Sequence, residues 1–132
     1  MNALILDAGA LIAVDRDDPS MIARLRVAHS AGLELRTTGI VVAEVWRDQG
    51  GRQSNLARLL KSIDVRAVDE KLGRIAGVLL GRARGGSAAD ATIVAIAATG
   101  DRILTSDPDD IERLVAASGR QLAVVACWAK IG

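Results

Sequence analysis

The sequence contains no phenylalanine and no tyrosine, one cysteine and one histidine. Without those aromatics, a core has to be assembled from leucine, isoleucine, valine and alanine. Stacking on nucleic-acid bases could draw only on Trp46 and Trp128. Cys127 alone can form no intrachain disulfide and no cysteine-based zinc site, and His29 alone rules out the common histidine-rich ones. Any resident metal would be held mainly by oxygen, which favours Mg²⁺ or Mn²⁺. A formal net charge of +1 lacks the excess that announces a nucleic-acid binder by charge alone. No charge-free run approaches a membrane span. The first residues lack a basic start and are interrupted by Asp7, which makes a poor signal peptide. A soluble cytoplasmic protein is expected.

What is abundant is apolar surface. Hydrophobic residues make up 50% of 132, enough for one packed domain spanning 1–132 and too few for two. Short runs rich in branched residues at 3–6, 34–36, 63–66, 102–105 and 122–126 read as strands, the last as a possible edge strand. Helical patterns lie at 9–14, 19–31, 39–48, 54–62, 70–84, 88–99 and 108–118. This alternation predicts an α/β fold, a mostly parallel sheet with helices on both faces and the loops after each strand along one edge. Asp18-Pro19 and Asp107-Pro108 read as an N-cap followed by proline at the first helical position. Most crossovers contain two helices, so one of each pair must lie across the sheet edge.

The placement of the acids is the informative feature. Asp7 is the only ionisable side chain within residues 1–14, and Asp90 the only one within 88–99. Glu44 sits in the apolar segment 40–46, and Asp107 ends the run that begins at Ile103. A buried carboxylate is costly unless paired or neutralised, and the segments around Asp7 and Asp90 offer no lysine or arginine. A divalent cation shared among several acids would remove their repulsion. Simpler roles exist for each. Asp7 and Asp107 could cap helices, Ser87 to Asp90 resembles a capping box, and Glu44 could pair with Arg47 one turn on. Those roles leave unexplained why three of the four sit in segments that otherwise bury themselves. Asp7 and Asp107 also follow strands, on the edge where open α/β sheets bind ligands. If those strands are neighbours, their ends flank the topological switch point.

The run Leu4-Ile-Leu-Asp7-Ala-Gly-Ala-Leu-Ile-Ala13 resembles the first motif of PIN-domain proteins. Val42-Ala-Glu44-Val-Trp46 is similar to the second, Ala89-Asp90-Ala-Thr-Ile-Val-Ala-Ile-Ala97 to the third, and Leu104-Thr-Ser-Asp107-Pro-Asp-Asp-Ile111 to the fourth. Their order and spacing run over nearly the whole chain, whose length is that of the VapC-type toxins. The resemblance implies a PIN-like three-layer α/β/α fold with a mostly parallel five-stranded sheet. It also implies a homodimer and a Mg²⁺- or Mn²⁺-dependent endoribonuclease. Such an enzyme would act as the toxin of a toxin–antitoxin pair, inhibited by a small cognate antitoxin whose tail occupies the acidic groove. Asp7, Glu44, Asp90 and Asp107 match the acidic positions. Asp7 and Asp90 would hold the principal ion, with Glu44 and Asp107 completing a second site or orienting water.

Around these four, Asp109 and Asp110 read as first-turn residues favoured by the helix dipole. The Thr105 or Ser106 hydroxyl could meet a water or a phosphate, or simply bond backbone at the strand end. Arg47, Arg52, Arg82 and Arg84 could contact phosphates without reading sequence, or be solvated charges. His29 reads as a surface residue and Trp46 as packed. The alternative is a catalytically inactive PIN-like domain that binds RNA or a partner. A receiver domain would need paired acids at the first strand, where Asp7 stands alone. A haloacid-dehalogenase-type phosphatase would need an acid where Gly9 stands.

Overall fold

The computed structural model describes residues 2–48 and 50–128. The most apolar short run becomes the middle of the sheet. β1 (Ala3–Leu6) is buried at all four positions and pairs in parallel on both sides. On one flank lie β2 (Glu34–Thr38) and β3 (Asp64–Arg66), and on the other β4 (Arg102–Thr105) and β5 (Ala123–Ala126), in the order β3-β2-β1-β4-β5. All the pairings are parallel, so the expected sheet is present and β5 is an edge strand. Register sets Ile5 against Ile103 and Leu6 against Leu104. The chain leaves β1 toward β2 and returns on its other side as β4. The topological switch point therefore falls between the ends of β1 and β4.

The helices form two groups. α1 (Ala8–Asp15) packs against α2 (Pro19–Ser30) and α4 (Ser54–Ser62), while α5 (Glu70–Ala83), α6 (Ala88–Ala95) and α7 (Pro108–Ser118) pack on one another. α3 (Gly39–Val45) touches both α1 and α6 and bridges the groups at the end of β2. It is the helix of its crossover that lies across the sheet edge. α6 has no amphipathic pattern because it is nearly enclosed, with six of its eight residues buried. The core contains Ile5, Leu6, Leu11, Ile93, Ile103 and Leu114 at 1% exposure or less, and no aromatic side chain. Trp46 packs partly buried against it, and Trp128 is 67% exposed beyond β5. No described helix is long and apolar enough to cross a membrane.

Two helices end earlier than the apolar pattern suggests, each because a distant side chain takes over backbone bonds. α3 stops at Val45. The buried Gln53 amide accepts from the Arg47 and Asp48 N–H groups at 2.8 and 3.0 Å and donates to the Val45 carbonyl at 2.9 Å. α6 stops at Ala95, where Arg120 donates to the carbonyls of Val94, Ala95 and Ala97 at 3.4, 3.1 and 2.5 Å. A guanidinium there also suits the negative end of the helix dipole.

Asp101 has no counterpart in the sequence reading. It is 3% exposed, and its two oxygens accept the Ala3 and Ala98 N–H groups at 2.8 Å each. It ties the start of β1 to the turn before β4. Asp101→Ala leaves both donors without a partner, so it should lower stability in urea unfolding by about 2–4 kcal/mol. The far end of the sheet should be undisturbed.

Candidate metal centre

Asp7 continues the β1–β4 ladder, its N–H donating to the Leu104 carbonyl at 3.1 Å. Its carboxylate is buried and almost saturated. Oδ1 accepts the Ala10 N–H at 3.2 Å, which makes Asp7 the N-cap of α1. Oδ2 accepts the Thr105 hydroxyl at 2.5 Å and the Ser106 N–H at 2.9 Å. Thr105 Oγ1 in turn accepts the Asp107 N–H at 2.9 Å. One carboxylate thus joins the end of β1, the start of α1 and the loop after β4.

Asp90 lies in the first turn of α6, its N–H donating to the N-cap Ser87 Oγ at 3.0 Å. Its carboxyl is pushed up to about 6 by burial, against a hydrogen bond from Ser87 that favours the ion. The charges of Asp7, Asp107 and Glu44 push the same way, so the other three acids of the four motifs all lie near enough to be felt. The tightest grouping is a different set. Carboxylate oxygens of Asp90, Asp107 and Asp110 lie within 4.8 Å of one another. Asp107 titrates above the ordinary range, chiefly through its contact with the Asp110 carboxyl group. Asp110 titrates below it, held first by the Arg113 guanidinium with which it forms an ion pair and then by Asp107.

Three sequence expectations change here. Asp107 occupies the N-cap position of α7 but makes no side-chain cap bond, which leaves its carboxylate free for the cluster. Asp110, read as a dipole-favoured first-turn residue, joins that cluster. Spacing of three residues on a helix puts the two acids side by side, and this was the available signal. Glu44 is exposed on α3, not enclosed by the apolar residues around it. It does not pair with Arg47, whose guanidinium donates to the Ala43 and Trp46 carbonyls at 3.1 and 2.8 Å. Arg52, Arg82, Arg84 and Asp109 are exposed, and so is His29 near the end of α2. Among the described residues, those three arginines and Arg47 make no salt bridge.

Gly9 went unremarked as a structural requirement. A Cβ at that position would lie 2.4 Å from Ser106 Oγ and 2.5 Å from Ser106 Cβ. Glycine within a helix costs about 1 kcal/mol relative to alanine. Here it lets the loop after β4 close onto α1, so that the Ser106 N–H reaches Asp7.

No protein-family model and no curated protein matches this sequence. Solved structures do match over almost the whole chain. A chain of VapBC2 from Rickettsia felis, solved bound to a DNA fragment from their promoter, is 15% identical with a TM-score of 0.72; the match covers 96% of this chain and 99% of that one. A chain of FitAB bound to an IR36 DNA fragment is 18% identical with a TM-score of 0.64, covering 98% of each. The fold is PIN-like. In this PIN-like domain the acids of the four motifs and Asp110 gather around the start of α6 and the ends of β1 and β4.

The raised Asp90 fixes a sign. Its native pKa of about 6 exceeds the ordinary 3.8, so its contribution to stability falls as pH rises between those values and stays low above them. Without metal, Asp90→Asn should be as stable as wild type at neutral pH or more stable by about 1 kcal/mol, after allowance for solvent screening. The gain should vanish near pH 4 in thermal unfolding. A strongly destabilised variant would make Asp90 a structural cap. Gly9→Ala should lose stability instead of gaining the usual helix increment, by about 1–3 kcal/mol as the Ser106 loop is forced off Asp7. A thermal melt of that variant reads the sign directly.

Proposed function

We propose that the chain is a Mg²⁺- or Mn²⁺-dependent endoribonuclease of the VapC type, the toxin of a toxin–antitoxin pair. The observation that carries the reading is the convergence of the Asp90, Asp107 and Asp110 carboxylates within 4.8 Å, beside the buried Asp7 and in the field of Glu44. An all-oxygen donor set suits a hard divalent ion. Burial, with the neighbouring charges adding to it, pushes Asp90 up, and contact with the Asp110 carboxyl pushes Asp107 up; a bound cation would favour the charged form of both. Asp90 and Asp107 would hold it, with Asp7 contributing through Oδ1 because Oδ2 already has two donors. Asp110 and Glu44 would complete the coordination or orient the attacking water. When bound, the ion supplies a lowered pKa for water and stabilises negative charge developing on the phosphate oxygens. No histidine is called on as base, consistent with His29 lying on α2.

A cognate antitoxin and a second copy of the chain complete the reading. The matched structures are of VapBC2 and FitAB, each bound to a DNA fragment. A groove of about 670 Å³ lies between α2 and α4, its floor apolar with Ile22, Leu25 and Leu59 and its lining also including Asp17, Arg26 and Arg58. It offers an antitoxin segment a place to dock. The substrate is RNA, with selectivity resting on shape and hydrogen bonds, since Trp46 is packed.

Incubated with RNA and Mn²⁺, the protein should cut internally. Chelation should stop the cutting, and Asp7→Asn should reduce it by about a hundredfold or more. Equal activity in Asp7→Asn would point to a contaminating nuclease. Absence of cleavage by freshly prepared wild type, with RNA binding retained, would favour the non-catalytic PIN-like alternative. Because protons compete with the ion for Asp90, Mn²⁺ affinity should rise as pH climbs through about 6 and level off above it.

A further inference from the structure

An anionic substrate approaching a cluster of carboxylates needs hydrogen-bond donors as well as a cation. The side-chain donors that touch the acids are mostly committed. Thr105 has one proton, and it goes to Asp7 Oδ2, while its oxygen accepts the Asp107 N–H. Ser87 Oγ accepts the Asp90 N–H as the cap of α6, and Arg113 is paired with Asp110. Ser106 differs. Its N–H is fixed on Asp7, its side chain is exposed, and its hydroxyl has no partner among the described residues.

Position strengthens the case. The point where a Cβ on Gly9 would stand lies 2.4 Å from Ser106 Oγ and 3.3 Å from Asp7 Oδ1. That point is closed by Gly9 and Ser106 themselves, but it shows that the free hydroxyl and the Asp7 oxygen with spare capacity are neighbours beside the start of α1. A backbone anchored through Asp7 and packed on a glycine holds the Ser106 side chain there without a protein partner for its proton. We infer that Ser106, and not Thr105, is the hydroxyl that contacts the substrate, donating to a non-bridging oxygen of the RNA phosphate. The inference rests on the ribonuclease reading and adds a substrate-positioning residue to it. It assigns Thr105 the separate task of holding Asp7.

The test compares wild type, Ser106→Ala and Ser106→Thr, with a labelled single-stranded RNA oligonucleotide as probe. Ser106→Ala keeps the N–H to Asp7 and removes only the hydroxyl. It should lower kcat/KM by about ten- to a hundredfold, as expected for a lost hydrogen bond to a charged group. In the Asp90→Asn background, which should remove cleavage, it should weaken RNA binding several-fold. Ser106→Thr, which retains a hydroxyl, should recover most of both. Mn²⁺ affinity, measured calorimetrically without RNA, should not move. Unchanged kcat/KM in Ser106→Ala, with wild type active, overturns the assignment and leaves the nuclease reading standing. A drop in Mn²⁺ affinity also overturns it, making Ser106 part of the metal shell. Wild type that neither cuts nor binds RNA overturns the nuclease reading itself, and this inference with it.

Discussion

The carboxylate of Asp7 is the interaction on which the rest of the site depends. It accepts from Ala10 in α1, from the Thr105 hydroxyl at the end of β4 and from the Ser106 N–H beyond it. Each bond crosses from one element to another, and each charge-assisted bond is stronger than a neutral one. Together they fix where the loop carrying Asp107 begins, and through Asp107 where α7 starts with Asp110 in its first turn. Gly9 is the steric condition for the same contact, because any side chain there would occupy the place of Ser106. The β1–β4 pairing supplies the frame, but Asp7 converts two strand ends into one site.

Holding several acids together is costly, and the fold offsets part of that cost with backbone dipoles. Asp7 stands at the N-terminus of α1, Asp90 in the first turn of α6, and Asp107 and Asp110 at the start of α7. The positive ends of three helices therefore meet the negative charge. The offset is incomplete. Asp90 remains raised to about 6, with burial the largest cause and the neighbouring charges adding to it. A helix end stabilises a carboxylate by about 0.3–1 kcal/mol at an exposed position, less than the burial of even half a charge costs. What the dipoles leave uncompensated is the part that the proposed divalent ion would neutralise.

The strands were legible because branched aliphatic runs are short and cleanly bounded. Those at 3–6 and 102–105 coincide with β1 and β4. Asp7 and Asp90 were legible because a lone charge in an apolar segment is a local anomaly. Asp101 was not, although it is as buried as Asp7. It sits beside Gly100 and Arg102 in a stretch that looks like an ordinary polar turn, and only the β1–β4 pairing reveals what it holds. Glu44 misled for the converse reason. Its apolar neighbours Val41 and Val45 are buried on one side of a helix only seven residues long, too short for the pattern to show which face Glu44 takes. The division between Thr105 and Ser106 was out of reach of any sequence argument, since it turns on which hydroxyl has already spent its proton.

Asp7 and Asp101 also show why burial alone does not mark out a candidate site residue. They sit at opposite ends of the β1–β4 pair, each 3% exposed, each with both oxygens bonded to protein donors. What separates them is their surroundings. Asp101 meets only backbone N–H groups and has no shared charge to neutralise. Asp7 adds to the field that raises Asp90, and through the Thr105 hydroxyl it is linked to the N–H of Asp107, a member of the acidic cluster. A saturated carboxylate is a rigid one, and this divides the labour within the site. Asp7 sets the geometry and has little capacity left to give. Asp90 and Asp107 are less encumbered, and with Asp110, itself paired with Arg113, they lie close enough to disturb one another's protonation.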